Sequence, residues 1–388
     1  MAFTRCIRAR QASSIAFTSF FFHNTQWLAT KHRASITLPV APSPPLSAYR
    51  PAQALTPARL LKTYTQLSKA RLSVLVVLTA MSGVALSPLP TTLPVLLSTA
   101  IGTALCSASA NTLNQIQEIP LDAQMARTRL RPLVRRALTP LHAAGFAAVT
   151  GVAGPAILWT MVNPTTALLG LGNIALYAGL YTWMKRKSTA NTWVGAVVGG
   201  IPPVMGWTAC GGKLLPDSTT IPLFLPPVLS STPVDASLVD NPLAPFALFM
   251  LLYSWQFPHF NSLSYIVRGS YAQAGYSMLS VISPVKNALV SLRHAILLIP
   301  ISSVLFPLTG LTTWTFAVTG LIPNLIFARA AWRFWHKGGE KEARTLFQHS
   351  LWYLPVVLGL MMVHKQGIDW LSWLGLRDSD KDEEKTGE

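Results

Sequence analysis

Long apolar stretches separated by short basic clusters are the dominant pattern of this chain. Divided at its charged residues, the chain gives six such stretches: Leu72–Gln117, Ala137–Met184, Ser188–Gly212, Asn241–Val267, His294–Ala328 and Thr345–His364. The first, second and fifth are too long for a single membrane-spanning helix, which needs roughly 20 residues, and each contains a turn signal, at residues 87–92, 163–166 and 307–313. The pattern predicts an all-α polytopic membrane protein of about nine transmembrane helices. A single kinked helix in the fifth stretch is the alternative.

The basic residues fall in alternate loops. With nine helices numbered in order, the loops after the even helices contain the basic clusters: Arg127, Arg129, Arg131, Arg135 and Arg136; Lys185, Arg186 and Lys187; Arg268, Lys286 and Arg293; Arg333, Lys337, Lys341 and Arg344. The odd loops contain almost nothing basic beyond Lys213. By the positive-inside rule, the even loops and the amino terminus are expected to face one compartment.

Composition supports a membrane protein and argues against several function classes. The 388 residues are 51% hydrophobic and only 12% charged, about half the charge that is usual in soluble domains. The net charge of +17 is spread between apolar stretches instead of lining one face, so we expect no nucleic-acid partner. Cys6, Cys106 and Cys210 lie far apart without metal-ligand spacing. Neither a disulfide framework nor a zinc site is therefore expected.

The two ends of the chain differ from its apolar centre. Residues 1–50 contain basic and many hydroxyl side chains but no Asp or Glu, which is typical of a mitochondrial transit peptide followed by a linker; a disordered cytosolic tail is the alternative. Residues 60–366 form the predicted transmembrane domain, and the charged residues 367–388 form a predicted solvated tail. The leader predicts a multi-pass protein of the mitochondrial inner membrane, with the amino terminus and the even loops facing the matrix.

The first acidic residues of the chain lie at the end of the second predicted helix. Asn114, Glu118 and Asp122 are four residues apart, a spacing that places three oxygen-bearing side chains on one helix face. Carboxylates are costly within a membrane and are functional candidates by default. Because Pro120 interrupts the helix, we expect Asp122 at the mouth of this stripe.

Arginines follow these carboxylates closely. Arg127, Arg129 and Arg131 occur in the segment ARTRLRPLVRR. Carboxylates that hold Mg²⁺, with guanidinium groups nearby, are what a diphosphate requires. A helix cap followed by a positive-inside loop would explain the arginines, but it would not explain two carboxylates and an amide in register.

This segment resembles a known family. The sequence NQIQEIPLDAQMARTRLRPLVR, which begins at Asn114, is similar to the first acidic motif of the UbiA-type intramembrane prenyltransferases, in particular the heme farnesyltransferases. The resemblance covers about residues 60–365 and implies the fold of that superfamily. It also implies that Asn114, Glu118 and Asp122 hold Mg²⁺ and diphosphate, with Arg127 and Arg131 as the matching catalytic arginines.

Three further blocks extend the resemblance. Residues 181–209 are similar to the family's next basic block and imply substrate contacts for Lys185 and Arg186. The segment YSWQFPHFNSLS at residues 253–264 resembles the block that separates heme farnesyltransferases from quinone-making relatives, and it implies a catalytic role for His259. Residues 68–83 fit the start of the family domain, with Arg71 near the membrane surface as a substrate-binding candidate.

One position departs from the family pattern. Heme farnesyltransferases usually have Asp or Glu before the tyrosine of the loop after the sixth helix, whereas this chain reads RGSYAQAGY with Ser270 there. No acidic residue lies between Asp240 and Glu340. The second metal-binding motif is therefore absent, and a serine would position a water or phosphate oxygen more weakly than a carboxylate.

The resemblance implies electrophilic prenyl transfer. Farnesyl diphosphate ionises while Mg²⁺ and arginine neutralise the leaving diphosphate, a vinyl group of heme B attacks the allylic cation, and water completes heme O, a step towards heme A of cytochrome c oxidase. Heme B is a substrate in this scheme and not a prosthetic group. The aromatic faces of Tyr181 and Trp255 are candidates to stabilise the cation, although packing is the commoner role of such rings.

Other interpretations stay open at this point. A quinone-precursor polyprenyltransferase would use the same diphosphate chemistry, and an inactive relative that assists respiratory-complex assembly would fit the missing acid. A transporter would use the acids as an ion site, but transporters commonly contain internal repeats, and no clear repeat is visible. The expected partners are farnesyl diphosphate, heme B and membrane lipid, with a second copy of the chain or a heme A synthase as protein neighbours.

Overall fold

Helices make up the regular structure of the part of the chain that is described. The computed structural model describes residues 56–216, 221–226, 228–229 and 240–367. The predicted transit peptide lies outside these residues, and so does the predicted charged tail apart from its first residue. The helices, in chain order, are α1 (Pro57–Leu67), α2 (Ala70–Leu86), α3 (Leu93–Gln117), α4 (Ile119–Asp122), α5 (Pro140–Met161), α6 (Pro164–Met184), α7 (Asn191–Ala209), α8 (Leu243–Ile266), α9 (Arg268–Gln273), α10 (Leu279–Ile282), α11 (Pro284–Leu308), α12 (Thr315–Thr319), α13 (Leu321–Lys337) and α14 (Gly339–Val363).

Several of these helices are suited to crossing a membrane. Among the described residues, α3, α5, α6, α11 and α14 are long and apolar enough to do so. Helices α1 and α2 meet at a bend of 57° and make a sixth candidate if the pair is one broken span. The all-helical, membrane-spanning fold is confirmed, whereas the number of nine spans stays a prediction.

The predicted turns lie where the helices break. α2 ends at Leu86 and α3 begins at Leu93, on either side of the first predicted turn. At the second turn, the side-chain oxygen of Asn163 accepts a hydrogen bond of 2.8 Å from the backbone N–H of Thr166 and caps α6. A short polar side chain at this position satisfies one of the free N–H groups of the helix start, so the local sequence itself divides the long apolar stretch in two.

Some predicted boundaries are wrong because charged residues were expected to end a helix. The sequence predicts that the fifth apolar stretch starts at His294, but α11 starts at Pro284, so Lys286 and Arg293 lie on a helix and not in a loop. Four more basic residues expected in a loop lie on α13 and α14: Arg333, Lys337, Lys341 and Arg344. Long basic side chains extend along a helix to the polar interface of a bilayer, so a charge near a membrane surface need not end the helix.

Small residues bring α2 and α7 into backbone contact. A Cβ atom on Gly206 would lie 1.8 Å from the carbonyl oxygen of Ala80, and one on Gly83 would lie 2.0 Å from that of Pro203. Close approach at small residues is a common way for membrane helices to associate, because lipid offers no hydrophobic drive for pairing. The contact holds α2 against one wall of the cavity described below.

This contact predicts a strong stability effect. We expect Gly206→Ala to lower the free energy of unfolding by about 3 kcal/mol, because the new methyl group overlaps a backbone oxygen that cannot move alone. Thermal unfolding in detergent micelles measures the effect. Gly172→Ala is the matched control, since open space surrounds the Cβ position of this helical glycine. Equal stability of the two variants would contradict the close approach of α2 and α7.

Candidate active site

Five charged side chains and one amide, from four parts of the chain, meet where α3 ends. We call this group the charge cluster, and its members are Lys69, Asn114, Glu118, Asp122, Arg131 and Lys185. Asn114, Glu118 and Asp122 are almost completely buried, with exposed fractions of 0%, 4% and 1%. Buried carboxylates are stable as anions only when cations or hydrogen-bond donors surround them, and this cluster provides both.

The backbone keeps the three acceptor side chains together across the break at Pro120. The N–H of Glu118 donates to the carbonyl of Asn114 at 3.0 Å, and the N–H of Asp122 donates to the carbonyl of Glu118 at 2.8 Å. These are the i to i−4 hydrogen bonds of a continuous helix. The predicted stripe therefore continues from α3 into α4, and its three side chains share one site.

Three basic side chains surround the stripe. Lys185 Nζ lies 2.6 Å from Glu118 Oε1, and Arg131 forms ion pairs with Asp122 and, at 3.6 Å, with Glu118 Oε2. Lys69 Nζ donates to Asn114 Oδ1 at 2.9 Å. Three basic side chains face two carboxylates, a balance that suits an anionic ligand.

The ion pair of Glu118 and Lys185 shifts both groups towards their charged forms. Burial alone favours the neutral carboxyl, but the positive charges of Lys185, Lys69 and Arg131 together outweigh it and hold the pKa of Glu118 below its ordinary value. Burial likewise disfavours the charged amine, but the Glu118 carboxylate raises the pKa of Lys185 above its ordinary value. The two directions agree, so the pair is ionised at neutral pH.

Two small apolar clusters hold the covering loops in place. Leu121 and Met125 pack with Tyr271, Tyr276 and other buried residues of the segment after α8. On the other side, α1 contributes Leu67 to a cluster with residues of the arginine-containing loop and of α5. These contacts close the loops over the stripe and keep bulk water away from its carboxylates.

The structure brings only some of the predicted residues to the charge cluster. Arg127 lies at its edge, where Nη2 donates to the hydroxyl of Tyr271 at 3.5 Å. Arg71 and Arg186 are exposed, and no described contact joins their side chains to the carboxylates. Ser270 is half-buried on α9. The remaining predicted residues Tyr181, Trp255 and His259 line a cavity beside the cluster.

Lys69 is a member of the cluster that the sequence pattern did not indicate. It has a left-handed backbone with φ 49° and ψ 53°, at the bend between α1 and α2. That conformation is uncommon for a non-glycine residue and marks a special position. Besides bonding Asn114, its ammonium group donates to the hydroxyl of Tyr177 at 3.3 Å. The only sequence signal was a basic residue just before the first apolar stretch, which Arg71 matches equally well.

Replacing Lys69 and Arg71 in turn tests which of these two basic residues binds the substrate. We expect Lys69→Met to raise the KM for the diphosphate that the resemblance implies as substrate at least about tenfold, because one charge-assisted contact is lost. Arg71→Met, at an exposed position two residues later, is expected to change KM by less than about twofold. Steady-state kinetics in lipid nanodiscs measures both values. A larger effect at Arg71 would mean that the family-based assignment was right and the geometric one wrong.

An apolar cavity of about 590 Å³ adjoins the charge cluster. Tyr177 connects the two, because its ring lines the cavity and its hydroxyl group bonds both Lys69 and Asn111. Exposed leucines of α2 and α14, such as Leu75 and Leu351, also line the cavity, so it reaches the lipid-facing surface. Such a site has a charged end for a polar head group and an apolar space for a lipid-like chain.

The oxygen atoms of the stripe suit one Mg²⁺ ion. Asp122 Oδ1 is buried and has no hydrogen-bond partner, which leaves it available as a ligand. Within the described ranges, no group of three or more His, Cys, Asp or Glu residues is placed to hold a metal. Mg²⁺ does not require such a group, because it usually keeps several waters and binds one or two carboxylates together with substrate phosphates.

Sequence and fold comparisons define the class of this protein. The UbiA prenyltransferase family profile matches residues 76–352, and the chain belongs to this family. Among solved structures, a digeranylgeranylglyceryl phosphate synthase has the same fold, with a TM-score of 0.62 at 15% identity over 78% of this chain and 98% of that one. A UbiA homologue from Archaeoglobus fulgidus bound to GPP and Mg²⁺ matches with a TM-score of 0.51 at 11% identity, over 77% and 99% of the two chains.

Curated relatives indicate a particular branch of the family. The chain is 46% identical to a mitochondrial protoheme IX farnesyltransferase from Yarrowia lipolytica, over 79% of this chain and 63% of the relative. It is 44% identical to the protein of the same name from Homo sapiens, over 78% and 62% of the two chains. It thus spans less than two thirds of the length of these relatives. Together with the apolar helices, these names support a mitochondrial membrane protein.

Proposed function

We propose that this protein transfers a farnesyl group from farnesyl diphosphate to a vinyl group of heme B and so forms heme O. The observation that carries the proposal is that a cationic cluster on buried carboxylates opens, through Tyr177, into an apolar cavity that reaches lipid. A prenyl diphosphate has the same division into a charged and an apolar end. The relatives named protoheme IX farnesyltransferase favour heme over a quinone precursor as the acceptor.

The diphosphate would bind at the charge cluster. Asn114, Glu118 and Asp122 would hold one Mg²⁺ ion, which supplies neutralising charge to the phosphate oxygens. The homologue solved with GPP and Mg²⁺ supports this pairing of metal and substrate. Arg131 and Lys185 would bind the remaining oxygens and stabilise the negative charge that develops on the leaving group. Because Ser270 replaces the usual second acid, we propose a single strongly held ion.

Aromatic side chains would shield the allylic cation. Tyr181 lines the cavity beside the cluster, and Lys185 Nζ lies 4.6 Å from the centre of its ring. An aromatic face placed next to a leaving diphosphate stabilises carbocations without reacting with them. Further along the cavity wall, Trp255 and His259 stack with ring centres 4.6 Å apart. We assign this second pair to the porphyrin, whose flat apolar face matches stacked rings.

The leader, the relatives and the charge pattern support a proposal for the location of this protein. We propose the mitochondrial inner membrane, with the charge cluster on the matrix side, because the clustered basic residues mark that side by the positive-inside rule. Farnesyl diphosphate would then bind from the matrix surface and heme B from lipid. We also propose that heme A synthase, which would use the product, is a neighbour in the membrane.

Reconstitution with defined substrates tests the proposal. The full chain in lipid nanodiscs would receive Mg²⁺ and farnesyl diphosphate, with either heme B or an aromatic quinone precursor, and products would be identified by chromatography and mass spectrometry. We expect a farnesylated, hydrated heme and no prenylated quinone precursor. The reverse product pattern would support the quinone alternative, and no product from a folded protein that binds the diphosphate would support the inactive assembly relative.

A further inference from the structure

Ser350 of α14 positions both rings of the Trp255 and His259 pair. This serine is fully buried, and its backbone carbonyl accepts a hydrogen bond of 3.0 Å from the indole Nε1 of Trp255. Its hydroxyl group lies 2.8 Å from His259 Nδ1. One residue on a neighbouring helix therefore sets the orientation of two side chains that line the cavity.

The hydroxyl group of Ser350 also bears on which nitrogen of His259 carries the proton. Ser350 Oγ lies 2.5 Å from the carbonyl oxygen of Phe347, which can only accept a hydrogen bond, and we assign the single hydroxyl hydrogen to that contact. In this assignment Ser350 Oγ accepts a hydrogen bond from His259 Nδ1, and Nε2 keeps a free lone pair. His259 then presents an unprotonated nitrogen on the opposite edge of its ring.

His259 is the base available within the cavity. The other polar side chains among the described residues lining it are hydroxyls, amides, the indole of Trp255 and the thiol of Cys106, none of which accepts a proton readily when neutral. Gln256, for example, uses its amide to donate to the carbonyls of Ala196 and Leu252. The carboxylates lie in ion pairs at the charge cluster, where they would bind the leaving group.

We propose that His259 Nε2 accepts a proton from the water that completes heme O, with Ser350 as its positioning residue; this inference rests on the proposed function. The C–O bond of farnesyl diphosphate breaks and its electron pair leaves with the diphosphate. The terminal vinyl carbon of heme B bonds to farnesyl C1, which leaves a cation on the vinyl carbon next to the porphyrin. A water oxygen bonds to that carbon while its proton moves to Nε2, and the imidazolium later returns the proton to solvent. No oxidant or reductant is needed.

The competing fate of the same cation provides the readout. If no base deprotonates an attacking water, the cation loses a carbon-bound proton and gives a farnesylated alkene that is lighter by one water. The ratio of hydrated to anhydrous product reports on this branch alone, because both products share every earlier step. Mass spectrometry of extracted porphyrins measures the ratio, and ¹⁸O-labelled water identifies the source of the hydroxyl oxygen.

Variants of both residues test the proposal. His259→Phe keeps a ring against Trp255 but lacks the base, and we expect the ratio to fall on the order of a hundredfold. Ser350→Ala removes the hydrogen bond that holds the tautomer of His259, and we expect the ratio of hydrated to anhydrous product to fall about tenfold. Ser350→Thr retains the hydroxyl group and is expected to restore the ratio to within about threefold of the wild type.

Ser291→Ala is the matched control for the serine variants. Ser291 is also fully buried, and its hydroxyl group bonds the carbonyl of Asn287 within α11. We expect a wild-type product ratio from this variant. An unchanged ratio in His259→Phe and Ser350→Ala, even with less total product, would overturn the inference and leave a structural role. Absence of farnesylated porphyrin from the wild type would instead overturn the proposed function, and this inference with it.

Discussion

Replacing Asp122 by asparagine is expected to lower kcat/KM for the proposed farnesyl transfer by on the order of a thousandfold while the protein stays folded. Asparagine has nearly the same shape, so packing at this buried position is retained. It lacks the negative charge that would hold Mg²⁺ and that now pairs with Arg131. Initial rates in nanodiscs, with the amount of folded protein measured in the same samples, test this result.

A buried carboxylate outside the charge cluster provides the matched control for Asp122. Glu342 is 9% exposed and lies 3.5 Å from Arg333 Nε, on the helix pair α13 and α14 away from the charge cluster. Glu342→Gln removes a comparable ion pair and is expected to retain activity within about threefold, with only a stability cost. If both variants lost activity equally, the general loss of buried charge would explain the result, and the specific role of Asp122 would be wrong.

Because Lys185 and Glu118 form an ion pair, a double-mutant cycle is expected to recover stability without recovering activity. Lys185→Met leaves Glu118 with only the longer contact to Arg131, and we expect the free energy of unfolding to fall by about 3 kcal/mol. Adding Glu118→Gln removes the unpaired charge and is expected to recover about 2 kcal/mol. Activity is not expected to recover, because neither the proposed diphosphate contact nor the proposed metal ligand returns.

Chemical denaturation and initial rates on the same four proteins measure both quantities. A double variant that regained activity together with stability would show that the pair only supports the fold. We do not expect that outcome, because Lys185 Nζ also lies against the ring of Tyr181, beside the cavity. Retained activity in Lys185→Met alone would remove this residue from the proposed diphosphate site.

The helical membrane fold could be predicted from the sequence because its causes are local. Apolar stretches long enough to span a bilayer, and the turn residues between them, depend only on neighbouring positions. The boundaries at α11 and α14 could not be obtained from charge positions, since basic side chains on a helix reach the membrane surface from within the span. The short helix α1 was also missed, because its apolar residues are too few to indicate a span.

Part of the candidate site could also be predicted from local sequence. The stripe of Asn114, Glu118 and Asp122 depends on helical spacing, and the structure brings the three together as predicted. Which basic residues join the charge cluster depends on tertiary contacts, and sequence spacing does not indicate these contacts. Lys69 enters the site because its left-handed backbone at the bend turns it inward, while Arg71, two residues later, is exposed on α2.

The cavity and the role of Ser350 depend on contacts between distant helices. His259 and Ser350 are 91 residues apart, and nothing near either residue in the sequence indicates that they meet. The sequence marked His259 through the resemblance of residues 253–264 to a family block, but it gave no partner for this side chain. The tautomer that we assign to His259 depends on its contact with Ser350, which exists only because α8 and α14 pack together.

The most direct test of the central claim is to express this chain in cells that lack their own heme O synthase and to analyse the extracted hemes. The comparison protein carries Glu118→Gln and Asp122→Asn, and both proteins are adjusted to equal amounts in the membrane. We predict heme O, or heme A derived from it, in cells with the wild-type chain and none in cells with the double variant. Farnesylated heme in both, or in neither, would contradict an active site built on these two carboxylates.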